Sequence, residues 1–131
     1  MKKLLLSATI LFSLFIVALV IGADAGQFPQ PLKYLYDFPG GDKAGHFILF
    51  GLLGYLLNRS ALSLFPNQNP TRLILVVSLL LSILIGLEEW SQSLFPARTM
   101  SLSDLIASYI GVTLFAFLAW YFNNRQNTRG V

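Results

Sequence analysis

The feature that most constrains the fold of this chain is an apolar run from Leu4 to Ala23 that contains no charged residue. At about 1.5 Å per residue, a helix of this length crosses a hydrocarbon core of roughly 30 Å. Further apolar runs lack the alternation of polar and apolar positions typical of membrane β-barrel strands. The runs therefore predict an all-α integral membrane bundle of about four transmembrane helices. They form one domain over residues 1–131, with helices near residues 4–23, 43–58, 71–89 and 102–122.

The composition agrees with this class. Hydrophobic residues make up 55% of the chain and charged residues 11%, whereas soluble domains are about 45–50% apolar and about 25% charged. This apolar excess is larger than a soluble core of this size can bury, so it must face lipid. The chain has no cysteine, which excludes disulfides and thiolate chemistry. The basic residues form no stripe with interleaved aromatics, so nucleic acid is not an expected partner.

The positions of the lysines and arginines predict the orientation in the membrane. If both termini are cytoplasmic, the inner side carries Lys2, Lys3, Arg59, Arg72, Arg125 and Arg129, and the outer side carries Lys33, Lys43 and Arg98. The start of the chain also has the features of a secretory signal, with a small-x-small site at Ala23-Asp24-Ala25. The apolar run exceeds the usual signal core of about 7–15 residues, which favours a retained helix. The predicted outer face is the same in either case.

Polar and ionisable residues cluster at three helix ends: the start of the second predicted helix, the end of the third and the start of the fourth. These residues are Asp42, Lys43 and His46, then Glu88, Glu89 and Gln92, then Ser103, Asp104 and Ser108. Because successive helices alternate in direction, these three ends lie on one membrane face, whichever side is cytoplasmic. Charged groups at membrane depth are costly and turn inward, pair with each other or line a wet cavity. The pattern therefore predicts a polar pocket that opens to the outer surface.

Helical spacing predicts which of these side chains face each other. Asp42 and His46 are four residues apart and share one side of their helix. Glu88 and Glu89 are about 100° apart on a helix, so only one of them is expected to face the centre. On the last helix, one stripe carries Asp104, Ser108 and Gly111, where small residues permit close helix approach.

The same positions carry a resemblance to a known family. The matching segments are Asp42-Lys43-Ala44-Gly45-His46-Phe47 with Phe50, Glu88-Glu89-Trp90-Ser91-Gln92, Phe95-Pro96-Ala97-Arg98, Ser103-Asp104 and Gly111. In this order and spacing, residues 42–115 resemble the VanZ-like family of bacterial membrane proteins. The resemblance implies a bacterial plasma (inner) membrane and a link to low-level resistance to the glycopeptide teicoplanin. It favours Glu89 over Glu88 as the functional glutamate, but it implies no defined reaction.

The chain departs from the family pattern at two positions. Ser108 stands where the family usually has asparagine, and Phe115 stands where a second glycine is common. A serine keeps a hydroxyl group but lacks the amide, so the polar role of that position stays open.

The leading interpretation is a pocket that binds a lipid headgroup or a lipid-linked cell-envelope precursor. Asp42, Lys43, Gln92 and Arg98 are the candidate ligand-binding residues, with Lys43 and Arg98 taking an anionic part. The candidate catalytic residues are His46, Glu89 and Asp104. In this enzyme version, His46 oriented by Asp42, or Glu89, abstracts a proton, and Arg98 stabilises developing negative charge.

The alternative interpretation is a non-catalytic scaffold or accessory subunit in which the polar cluster only fixes helix packing. A single histidine is most often structural, and the carboxylates can serve as counter-charges for Lys43 and Arg98. A divalent metal is conceivable at Asp42, His46, Glu89 and Asp104, which offer carboxylate oxygens and one imidazole. Because no Cys pair or H-x-x-x-H motif supports it, no metal site or other cofactor is predicted. Protein partners are not indicated by the sequence.

Overall fold

The computed structural model describes residues 1–130, except for the side chains of Tyr36 and Arg129. In chain order the helices are α1 (Lys2–Asp24), α2 (Gln30–Tyr36), α3 (Gly41–Leu64), α4 (Pro70–Ser91), a 3-10 turn at Gln92–Leu94, and α5 (Leu102–Arg129). No strand occurs in this part of the chain. Four helices, α1, α3, α4 and α5, are long and apolar enough to cross a membrane. The prediction of an all-α membrane bundle is therefore confirmed.

The helix ends follow from local chemistry. Gly40 has a φ of +82°, which glycine adopts without strain, and it turns the chain into α3. The Asn69 side chain accepts the Arg72 N–H at 3.0 Å, and the Ser101 hydroxyl accepts the Asp104 N–H at 3.3 Å. These bonds satisfy N–H groups that the first turns of α4 and α5 leave without helical partners.

Two features of the helices differ from the sequence-based prediction. Residues 24–41, which fall between the first two predicted helices, contain the short helix α2, and Pro31 lies in its first turn, where the missing N–H costs nothing. In addition, α3 continues to Leu64 and α5 to Arg129, beyond the predicted ends at residues 58 and 122. Asn58, at the predicted end, is buried within α3, and its side-chain amide donates to the Gly54 carbonyl at 2.9 Å.

The centre of the bundle is the pair α3 and α5, which make the most extensive contact, while α1 and α4 pack beside them. The buried core is Ile16, Phe50, Leu53, Leu81, Ile85 and Val112. Many large apolar side chains point outward instead, including Leu11, Leu79 and Ile110. These outward residues form the surface that faces lipid in a membrane protein.

Close contact between α3 and α5 depends on two glycines. A Cβ added at Gly111 would overlap the carbonyl oxygen of Phe47 and lie 3.1 Å from the Phe47 Cα, so only glycine fits against this backbone. At the second point, a Cβ on Gly51 would lie 2.7 Å from the Phe115 ring. The large Phe115 side chain of α5 therefore packs over the small Gly51 of α3.

Polar contacts join the remaining helices to α3. The Thr9 and Ser60 hydroxyls are 2.8 Å apart and connect α1 to α3, and Asn58 Nδ2 donates to Ser78 Oγ of α4 at 3.1 Å. In a bilayer, lipid tails are as apolar as the helix surfaces, so the hydrophobic effect does not drive helices together. Interhelical hydrogen bonds of this kind contribute to helix association instead.

Candidate functional site

A cavity of about 530 Å³ lies at the end of the bundle where α3 and α5 begin and α1 and α4 end. Its polar lining consists of Asp42, His46, Glu88, Gln92, Arg98, Thr99 and Asp104. Its apolar lining includes Ile16, Leu19, Val20 and Ala23 of α1, together with Leu49 and Phe50 of α3. Residues from α3, α4, α5 and the connection after α4 thus meet around one space that also has an apolar side.

Arg98 joins two helix ends across this cavity. Its Nη1 donates to Asp24 Oδ1 at 3.0 Å, and its Nη2 donates to Glu88 Oε1 at 3.4 Å. All three side chains are only 16–17% exposed. The guanidinium is therefore engaged by a carboxylate from α1 and another from α4, and its charge is compensated within the chain.

Glu89 lies behind the cavity wall and holds the start of α5. It is 1% exposed and is not among the residues that line the cavity. Its Oε1 accepts the backbone N–H of Ser101 at 2.6 Å, and its Oε2 accepts Gln92 Nε2 at 3.1 Å. Gln92 Nε2 also lies 3.1 Å from Glu88 Oε1, so one amide group connects the two glutamates.

Replacing Glu89 with glutamine is expected to lower the free energy of unfolding by about 1–2 kcal/mol, because the new amide NH₂ must face either the Ser101 N–H or Gln92 Nε2, both donors. The measurement is thermal unfolding in detergent followed by circular dichroism. The control is Asp37→Asn, which also replaces a carboxylate with an amide, at an exposed side chain outside the cavity. Equal melting temperatures for the two variants would contradict this role of Glu89.

His46 is held by α5. Its Nδ1 is 3.2 Å from Ser108 Oγ, and Ser108 Oγ donates its proton to the Asp104 carbonyl at 3.0 Å. Because a hydroxyl has one proton, Ser108 must accept from His46, so Nδ1 carries the imidazole proton. In the neutral ring, His46 Nε2 then carries a free lone pair. This nitrogen lies 3.9 Å from Asp104 Oδ2. Ser108 thus has a polar role, because it connects His46 of α3 to the Asp104 carbonyl of α5.

Asp104 also faces Lys43, whose Nζ lies 3.8 Å from Asp104 Oδ1. The Lys43 side chain is 53% exposed and does not line the cavity. Asp42 lines the cavity but forms no hydrogen bond or ion pair with the described residues. The expected pairing of Asp42 with His46 is therefore wrong, because the imidazole turns toward α5 and not along its own helix.

The structure brings together five of the seven residues predicted for the site, Asp42, His46, Gln92, Arg98 and Asp104. Lys43 and Glu89 lie beside and behind the cavity. Three residues with a part in the geometry were not assigned to the site from the sequence: Asp24, Glu88 and Ser101. Glu88 was the open alternative to Glu89. For Asp24 there was no signal, because its partner is 74 residues away in the chain.

Within residues 1–130, no group of three or more His, Asp or Glu side chains is arranged to hold a metal ion. No protein-family model, no curated protein and no solved structure matches the chain.

Proposed function

We propose that this chain is a VanZ-like protein of the bacterial plasma membrane whose cavity binds the headgroup of a lipid or of a lipid-linked cell-envelope precursor. The observation that carries the proposal is the two-sided cavity, with polar side chains facing an apolar wall of α1. A lipid-linked ligand joins a polar group to an apolar chain, so it complements both sides. The excess of lysine and arginine at the other end supports an extracytoplasmic position for the cavity, with both termini cytoplasmic. A link to teicoplanin-type resistance would follow from such binding.

The charges in the cavity favour hydroxyl or amino groups on the bound headgroup. Asp42, Glu88 and Asp104 supply three carboxylates against the single guanidinium of Arg98. Arg98 already donates to Asp24 and Glu88, so an anionic group would have to displace one of them. Carboxylates accept strong hydrogen bonds from hydroxyl and ammonium groups. Asp42, which forms no hydrogen bond or ion pair with the described residues, is the side chain most available to a ligand.

Removing the Asp42 charge tests the proposal. A hydrogen bond to a charged group contributes about 1.5–3 kcal/mol, so Asp42→Asn should reduce bound ligand by at least about tenfold. The measurement is mass spectrometry of lipids that co-purify with the protein, and Asp37→Asn is the matched control. Asp37 is an exposed aspartate at the same end that does not line the cavity. Identical lipid profiles for wild type and Asp42→Asn would contradict the proposed site.

A catalytic version of this function is favoured by the His46 geometry. The free lone pair of Nε2 can accept a proton from a hydroxyl group or a water molecule, and the nearby Asp104 carboxylate would stabilise the resulting imidazolium. Glu89 is less suited to this role because both of its oxygens already accept hydrogen bonds. The test is to incubate an envelope lipid extract with wild type or with His46→Gln and to compare the lipids afterwards. If neither protein changes the extract, the chain binds its ligand without catalysing a reaction.

The scaffold alternative is favoured by the buried Glu89, which joins α4 to the start of α5. The two functions predict different behaviour for the open side chains of the cavity. A purely structural cluster requires Asp42→Asn and His46→Gln to leave every phenotype intact in cells as long as the protein inserts normally. A binding site requires a loss of phenotype for Asp42→Asn with a melting temperature close to that of wild type in ligand-free detergent, because this exposed side chain forms no hydrogen bond or ion pair within residues 1–130.

A further inference from the structure

Charge is distributed unequally between the two ends of the bundle. All six acidic residues lie at the end with the first cavity, namely Asp24, Asp37, Asp42, Glu88, Glu89 and Asp104. The opposite end carries six of the nine lysines and arginines, Lys2, Lys3, Arg59, Arg72, Arg125 and Arg129. Because no Asp or Glu lies at that end within residues 1–130, its cations have no acidic side chain as a counter-charge.

A second cavity of about 570 Å³ opens at this basic end, between the start of α1 and the ends of α3 and α5. Two of the six cationic residues, Lys2 and Arg59, line it. Leu4, Leu5 and Leu62 form an apolar part of the same lining. This cavity therefore combines uncompensated positive charge with an apolar surface.

Arg59 is held in position at this cavity by a neutral partner. Its Nη2 donates to Gln126 Oε1 of α5 at 3.1 Å. The contact orients the guanidinium without neutralising it, unlike the two carboxylates that compensate Arg98 at the other end. A guanidinium has five N–H donors, so the remaining donors can bind an anion.

We propose that this second cavity binds an anionic phospholipid, with the phosphate between Lys2 and Arg59 and an acyl chain along Leu4, Leu5 and Leu62. Arginine suits phosphate because its planar fork matches two phosphate oxygens, and lysine adds a point charge. Basic pockets between transmembrane helices recognise anionic headgroups on the cytoplasmic side of membranes. The apolar part of the lining favours a lipid over a free phosphate ion, which would leave that surface uncovered. This site does not depend on the function proposed for the first cavity.

The test is lipid-dependent thermal stability of the full chain in neutral detergent. Phosphatidylglycerol should raise the melting temperature in a saturable way, because a ligand that binds only the folded state stabilises it. Phosphatidylcholine should have a much smaller effect. The double variant Lys2→Gln/Arg59→Gln should weaken the apparent affinity for phosphatidylglycerol by about tenfold or more, for a loss of at least about 1.4 kcal/mol. Lys2→Gln alone, at an exposed residue outside the packing of the bundle, should weaken it about threefold.

The matched control is Lys3→Gln/Arg72→Gln, which removes the same charge from the same end at exposed residues outside the cavity. Its affinity should stay within about twofold of wild type, because screening weakens charges that do not contact the phosphate. An equal loss in the control would show a diffuse charge effect and overturn the proposal. Equal stabilisation by phosphatidylcholine, or by inorganic phosphate at the same concentration, would overturn it as well.

Discussion

Replacing Gly111 with alanine is expected to destabilise the bundle by about 3 kcal/mol, the upper part of the range for overpacked interiors. The added Cβ would overlap the carbonyl oxygen of Phe47 and crowd its Cα. These are backbone atoms of α3, so no side-chain rotation can relieve the contact. The two helices would have to separate, and the buried Val112 beside Gly111 would lose packing.

Gly45→Ala is the matched control for this prediction. A Cβ at Gly45, which is also helical, meets nothing within 4 Å. Alanine there should stabilise the helix by up to about 1 kcal/mol, because glycine has a lower helix propensity. Both variants are compared by chemical unfolding in detergent with far-ultraviolet circular dichroism. If they shift stability in the same direction by the same amount, the close backbone contact does not limit the packing.

Arg98→Ala is expected to lower the free energy of unfolding by about 2–3 kcal/mol. Removing one member of a fully buried ion pair costs about 3–5 kcal/mol, because the partner charge stays buried without compensation. Here Asp24 and Glu88 both lose their cation, but at 17% exposure they keep some access to solvent, which reduces the cost. Arg98→Lys should fall between wild type and alanine, since one ammonium lacks the planar fork that contacts both carboxylates.

Two comparisons make this prediction specific. Lys43→Ala removes a cation near Asp104 whose side chain is 53% exposed, so its cost should stay below about 1 kcal/mol. Combining Arg98→Ala with Asp24→Asn and Glu88→Gln should recover part of the lost stability, because the uncompensated charges are then gone. A triple variant less stable than Arg98→Ala alone would mean that charge compensation is not the role of Arg98.

The position of α1 follows from the same cluster. This helix packs mainly on α3, and Asp24 at its end is tied to Arg98. The apolar wall of the first cavity comes from α1. Loss of this ion pair is therefore expected to loosen the wall of the first cavity as well as the bundle.

The sequence by itself determined the class of the protein and the end of the bundle at which the polar residues gather. Apolar runs long enough to cross a bilayer, without the alternation of polar and apolar positions found in barrel strands, leave helices as the way to satisfy their backbone hydrogen bonds. Once the helices alternate in direction, the ends near His46, Gln92 and Asp104 must share a face. These conclusions need only run lengths and chain order, so they do not depend on how the helices rotate.

Only the tertiary structure decided which side chains meet. Adjacent residues of a helix point about 100° apart, and the rotation of α4 about its axis turns Glu88 toward the cavity and Glu89 toward Ser101. His46 bonds Ser108 of α5 and not Asp42. These helices are apolar on nearly every side, so periodicity does not specify their rotation. The rotation is set by packing, above all where Gly111 admits the backbone of α3, and that contact joins residues far apart in sequence.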